Sequence, residues 1–197
     1  MINSEDMIMG ELESLRHIVR ETARMSYPGR FGGKLRGGAK KAIQEHFENV
    51  YPGKLQAQIA NYDVWHKKRV NQLSHVIKKG NYRQDENDTS FALSAKLVNT
   101  FMHQLMKYEQ FRYLYKHIHL PLDRTVFQRL RSAENCHNEL HYLRELVEPF
   151  AGHAYRFDAN TYAQIQERLW GMVNYFNDSV LTENQICSRI DLNCLLW

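Results

Sequence analysis

The chain has 197 residues, of which 43% are hydrophobic and 24% charged, with a formal net charge of +4. That length suits one domain with a sizeable core, and no apolar run is long enough to span a bilayer, so a membrane partner is not expected. Mild basicity fits a nucleic-acid partner without requiring one. The opening residues, Met1 to Asp6, are acidic and lack the basic and apolar regions of a signal peptide. Three cysteines, Cys136, Cys187 and Cys194, show no metal spacing and suit a reducing compartment, so a cytoplasmic protein is expected.

Four prolines and repeated i, i+3, i+4 apolar spacing predict an all-α helical bundle. A first helix is capped by Ser4, carries Ile8, Leu12, Leu15, Val19 and Met25 on its apolar side, and ends before Tyr27-Pro28-Gly29. Residues 26–41 change character. Five of the ten glycines (Gly29, Gly32, Gly33, Gly37 and Gly38) alternate there with Arg30, Lys34, Arg36, Lys40 and Lys41. A helix is predicted from Ala39 to Val50, broken by Tyr51-Pro52-Gly53. The next starts near Asp63 and runs through Trp65, Val70, Leu73 and Ile77 to Lys79-Gly80. After a polar connector, Thr89 or Ser90 caps a helix reaching about Tyr108. Asp123 caps the following one, with Val126, Phe127 and Leu130 on its buried side. Helices near 136–148, 158–177 and 182–195 complete a single domain over 1–197. Its expected parts are an N-terminal portion 1–60 with the basic loop 26–41, a core over about 61–150, and C-terminal helices 151–197.

Two helix starts carry chemistry. Turning the 90–108 helix by 100° per residue puts Phe91, Ala95, Val98, Met102 and Leu105 on one side. Lys96, Asn99 and His103 fall on a flanking stripe. An amine at a core edge loses water and becomes a competent nucleophile. Asp123 follows the extended His119-Leu120-Pro121-Leu122 segment as an N-cap, where backbone N–H groups and the helix dipole hold a carboxylate. Such a carboxylate stabilises an oxocarbenium-like sugar and takes a proton from an attacking amine. A solvated lysine and an ordinary helix cap account for the same residues taken singly.

Lys96-Leu97-Val98-Asn99 followed by Leu120-Pro121-Leu122-Asp123 resembles the helix-hairpin-helix superfamily of DNA glycosylases, above all the 8-oxoguanine and archaeal 8-oxoguanine branches. The resemblance covers roughly residues 64 to 133. It implies a helix-hairpin-helix-like core, double-stranded DNA with a flipped base as partner, Lys96 as Schiff-base nucleophile and Asp123 as its helper. Asn99 and His119 are then orienting groups, and no cofactor or metal is called for. Oxidised guanine follows as the base; a hypermodified base of foreign DNA is the alternative, with defence in place of repair as the role. A monomer is expected.

For DNA contacts, Gly37-Gly38-Ala39-Lys40-Lys41 opens a helix whose free N–H groups attract an anion. Arg30, Lys34, Arg36 and Arg124 are further candidates for the backbone, although a solvated basic loop explains the first three equally. Trp65, His66 and His103 are candidates for lining a base pocket, and the aromatic stretch 111–117 for stacking; core packing is the competing account.

Two other constellations compete. Arg131 to His137 resembles the Arg-x(4–6)-His signature of HEPN ribonucleases, in which the arginine binds the scissile phosphate and the histidine transfers protons. His137 and His141, with His117 and His119, could bind zinc. A non-catalytic helical DNA-binding protein is the remaining reading.

Overall fold

The computed structural model describes residues 4–27, 33–49, 62–132, 138–150, 152–179, 188, 189, 191 and 192; for 4–12, 138–140 and 179 it describes the backbone alone. These residues form an all-α helical bundle: α1 (Ser4–Met25), α2 (Ala39–Glu48), α3 (Tyr62–Lys79), α4 (Ser90–Leu105), α5 (Arg124–Ser132), α6 (Asn138–Val147) and α7 (Ala159–Ser179). Two 3₁₀ helices, Glu109–His117 and Glu148–Phe150, join neighbours. Among the described residues the extended pairing is one isolated bridge, Leu35 with Arg83. No described helix is long and apolar enough to cross a membrane.

The bundle is organised around α4. Ten of its residues are buried, from Ala92 to Leu105, because it packs against α3, α1 and α7 on different sides. A helix wetted on only one edge needs an apolar majority, and Leu93, Leu97, Val98, Phe101 and Met102 supply it. Phe101 stacks on Phe47 of α2, with ring centroids 4.5 Å apart, and both rings are fully buried. Each such side chain contributes about 1.5–3 kcal/mol by leaving water. Thr89 caps α4 as expected: its hydroxyl oxygen accepts from Ala92 N at 3.0 Å and donates to Phe157 O at 2.7 Å. That second bond ties the start of α4 to the chain entering α7.

Helix limits differ from expectation in physically legible ways. The central helix stops at Leu105, and the aromatic stretch 111–117 forms a 3₁₀ helix that buries Phe111 and Leu114. Met25 is 48% exposed, since Val19, Thr22, Ala23 and Ser26 take the inward phase of α1. Ile8 and Leu12 side chains, Arg30, Pro28, Gly29, Gly32, the 51–61 break, His137, the three cysteines and nearly all of the expected 182–195 helix lie outside the described residues.

The glycine-rich segment does not stand alone. Arg36 N donates to Tyr82 O at 2.6 Å and Gln84 N to Lys34 O at 3.1 Å, so it pairs with the α3–α4 connector. Gly38 ends this pairing with a φ of +87°, a left-handed conformation that glycine tolerates best, and α2 begins at once.

Candidate functional site

Between α4 and the helix capped by Asp123 runs the extended segment Ile118 to Asp123, antiparallel to α4. Two contacts fix its register. Asn99 Nδ2 lies 3.4 Å from Leu120 O, and one turn earlier Lys96 Nζ contacts Asp123 Oδ2 as an ion pair. Asp123 Oδ1 accepts from Val126 N at 2.9 Å, so one carboxylate oxygen caps α5 while the other meets the amine. The lysine side chain is 15% exposed and the aspartate 30%, which leaves the pair at the surface edge of the core.

Beside the pair sits Tyr155. Burial, reinforced by the Asp123 and Asp88 carboxylates, pushes its phenol up to about 12. Lys34 of the basic segment lies 5.5 Å from the Tyr155 ring centroid and 3.5 Å from Asp88 Oδ2. Arg36, Lys40, Lys41 and Arg124 are exposed, and Lys41 approaches Glu45 at 3.8 Å. One end of the basic segment therefore adjoins the Lys96–Asp123 pair.

On the other side of Asn99 lies a cavity of about 680 Å³, walled in part by Tyr62, Phe91, His119, Tyr162, Trp170 and Arg189. Lys96 and Asp123 are not in its wall; His66 is. Asn99 Oδ1 meets His66 Nε2 at 2.7 Å, and Asn99 Nδ2 donates to Tyr162 Oη at 2.9 Å. Tyr162 Oη meets His119 Nδ1 at 2.9 Å, and His119 Nε2 meets Asp63 Oδ1 at 2.6 Å. Gln166 closes the back by donating to Leu120 O at 2.8 Å and accepting from Leu120 N at 3.2 Å.

Elementary valence orients this chain. An asparagine oxygen accepts only, so His66 Nε2 carries the hydrogen. Tyr162 accepts from Asn99 and gives its own hydrogen to His119 Nδ1. His119 Nε2–H then donates to the Asp63 carboxylate. Each donor is used in one direction, from His66 to Asp63. Burial keeps both rings neutral: His119 is lowered to about 4, and His66 falls well below its usual value. The hydrogen bond from His119 holds Asp63 at about 2, and burial pushes the Tyr162 phenol well up.

Arg189 closes the open side. Burial lowers its basicity; Nη2 donates to His117 O at 3.2 Å, and the guanidinium lies 5.2 Å from the Trp170 ring centroid. Its Nε is buried without a partner among the described residues.

Of the sequence candidates, the structure brings Lys96 to Asp123 and gathers Asn99, His66 and His119 into the cavity network. Trp65 is 4% exposed and packs near Tyr62 and Arg69 rather than walling the cavity. His103 is exposed near the end of α4, one turn beyond Asn99 on the same stripe, and joins neither group. Arg131 is held by Glu148 through two bonds of 2.7 and 3.1 Å, and His141 pairs with Glu145 at 3.4 Å on an exposed face. No cluster of three or more possible metal ligands occurs among the described residues.

Asp63, Tyr162, Gln166 and Arg189 were missed as site residues. A polar residue recurring on an otherwise apolar helix stripe, as His66 does between Trp65 and Val70, is the signal that marks such a network. No protein-family model, curated protein or solved structure matches this chain.

Proposed function

We propose that the protein is a DNA base-excision glycosylase with strand-nicking lyase activity, in which Lys96 is the nucleophile and Asp123 its proton acceptor. The observation that carries this reading is the direct contact of Lys96 Nζ with Asp123 Oδ2, made by two separate elements, one of them a helix N-terminus that fixes the carboxylate.

The chemistry follows from that contact. The lysine ammonium gives a proton to Asp123, and the free amine attacks C1′ of an extruded nucleotide. The C1′–N bond breaks, and the base leaves with its electron pair and takes up a proton. Opening of the sugar ring gives an imine between Nζ and C1′. Loss of a C2′ proton then expels the 3′-phosphate, and water hydrolyses the imine to return the lysine. Asp123 hands the proton it took from the lysine to the departing base, and the carboxylate so restored faces the positive charge developing at C1′, where a fixed anion lowers the barrier. Lys34 beside Tyr155 and Arg124 next to Asp123 offer cations to the phosphates near the pair, and exposed Arg36 and Lys40 follow Lys34 in the basic segment.

Duplexes carrying 8-oxoguanine or a glucosylated hydroxymethylcytosine, incubated with the protein and sodium borohydride, test this directly. A covalent protein–DNA adduct is expected with one of them, absent in Lys96→Gln. Asp123→Asn keeps a helix cap and should slow base release without abolishing DNA binding. Full base release by Lys96→Gln refutes the amine mechanism.

A further inference from the structure

The cavity network ends on an atom the protein does not use. His66 Nε2 is committed to Asn99, and Nδ1 has no partner among the described residues. In a neutral imidazole with hydrogen on Nε2, Nδ1 is an acceptor. His66 is 2% exposed, and it belongs to the cavity wall. The same cavity wall holds Arg189, 7% exposed, with donors in excess of its partners. Asp63, 3.7 Å from Arg189 Nη2, offsets that cation's charge, and the other charged residues of the wall, Lys67, Lys116 and Glu167, are exposed and solvated, so the buried wall selects for polarity rather than for a strong anion.

We infer that this cavity binds a neutral, flat heterocycle that presents a ring N–H to His66 Nδ1 and a carbonyl oxygen to Arg189. The tautomer is not free to adapt. Reversing His66 alone would set its bare Nε2 against Asn99 Oδ1, two acceptors at 2.7 Å; turning the amide as well would make Tyr162 donate to Asn99 and His119 Nδ1 donate to Tyr162, leaving a bare His119 Nε2 against Asp63 Oδ1 at 2.6 Å. The chain running to Asp63 thus fixes what His66 can read. Tyr62, Phe91 and Trp170 supply aromatic faces for a planar ring. A volume near 680 Å³ equals about twenty waters at liquid density, room for a ring and a substituent on it.

Under the base-excision reading the ring is the extruded base, and the class named is that of lactam-edged bases, such as oxidised purines and pyrimidine diones. The inference rests on that reading for what delivers the ring, not for the edge the cavity recognises. Asn99 joins the two sites: one turn from Lys96 on α4, it approaches Leu120 O, three residues before Asp123 on the extended segment.

The test uses the full chain labelled with ¹⁵N-histidine, below neutral pH where xanthine is uncharged. Long-range ¹H–¹⁵N spectra should show hydrogen on Nε2 of both His66 and His119. Adding xanthine, which offers lactam N–H groups, should move the His66 Nδ1 resonance upfield. Caffeine, in which every such N–H is methylated, should bind at least about tenfold more weakly, the loss of roughly one hydrogen bond from a buried acceptor. His66→Phe should erase the preference between the two. Hydrogen on Nδ1 of His66, equal binding of xanthine and caffeine, or binding of neither overturns the inference. Lys96 takes no part in these readouts, so borohydride trapping and xanthine binding can fail independently.

Discussion

Replacing Asn99 by leucine removes the amide that links His66, Tyr162 and the Leu120 carbonyl while keeping the same branched outline of four heavy atoms. The consequence can be worked contact by contact. Leu120 O loses a long bond of 3.4 Å but keeps Gln166 Nε2 at 2.8 Å. Tyr162 Oη loses a donor yet still bonds His119 Nδ1 at 2.9 Å. His66 Nε2 is left with only Tyr162 Oη at 3.5 Å, too long to replace the 2.7 Å bond it had. The net damage is one orphaned N–H in the core, costing about 1–3 kcal/mol. For a chain of this size that lowers Tm by roughly 2–4 °C per kcal/mol. Urea denaturation followed by circular dichroism, with the m-value checked for constancy, gives the difference. A loss under about 0.5 kcal/mol, smaller than the least cost expected of an orphaned buried donor, would falsify the claim that His66 depends on Asn99. Asn99→Asp provides the opposite perturbation. Its carboxylate favours the imidazolium, so an NMR titration should find His66 titrating at higher pH than in the parent.

Acid should destabilise the protein before its carboxylates titrate. His119 and His46 are both lowered to about 4, and His66 is lowered as well, all first by burial. Folded chains then bind fewer protons than unfolded ones, so stability is full above the ordinary histidine value of 6.5 and falls as pH drops toward 4. His119 alone accounts for at most about 3 kcal/mol; urea midpoints that do not change between neutral pH and the foot of that window would contradict it. Gly38→Ala forces a side chain into a φ of +87° and should cost about 1–2 kcal/mol by thermal melting. Asp123→Ala removes the α5 cap and should cost about 0.5–2 kcal/mol, whereas Asp123→Asn, which keeps an accepting oxygen, should be close to the parent. Equal losses for these two would assign the stability to the ion pair instead.

Local signals were legible and distant ones were not. Thr89 and Asp123 announce helix starts by side-chain chemistry acting within three residues, and both cap as read. The all-α class follows from apolar spacing repeated along the chain. Lys96 and Asp123 could be paired because one stands on the polar stripe of α4 and the other caps the next α-helix. The cavity had no such signature: Asp63, Tyr162 and Arg189 reach His119 or one another across dozens of intervening residues. Tyr162 sits in α7 among apolar neighbours, where an aromatic residue is ordinary core material. Trp65 shows the converse error, since proximity in sequence to His66 suggested a shared wall, but successive helix residues diverge by 100° and need not share one.

The two rungs between α4 and the extended segment are unequal in length. Lys96 and Asn99 are separated by about 4.5 Å along the helix axis. Three residues of extended chain from Leu120 to Asp123 can reach about 10 Å. The lysine's long side chain makes up the difference in rise. Buried Leu120 and Leu122 flank Pro121 and hold the segment to the core. Asp123 is thereby riveted twice, to Val126 N of α5 and to the amine, so displacing the lysine would leave the carboxylate where it stands.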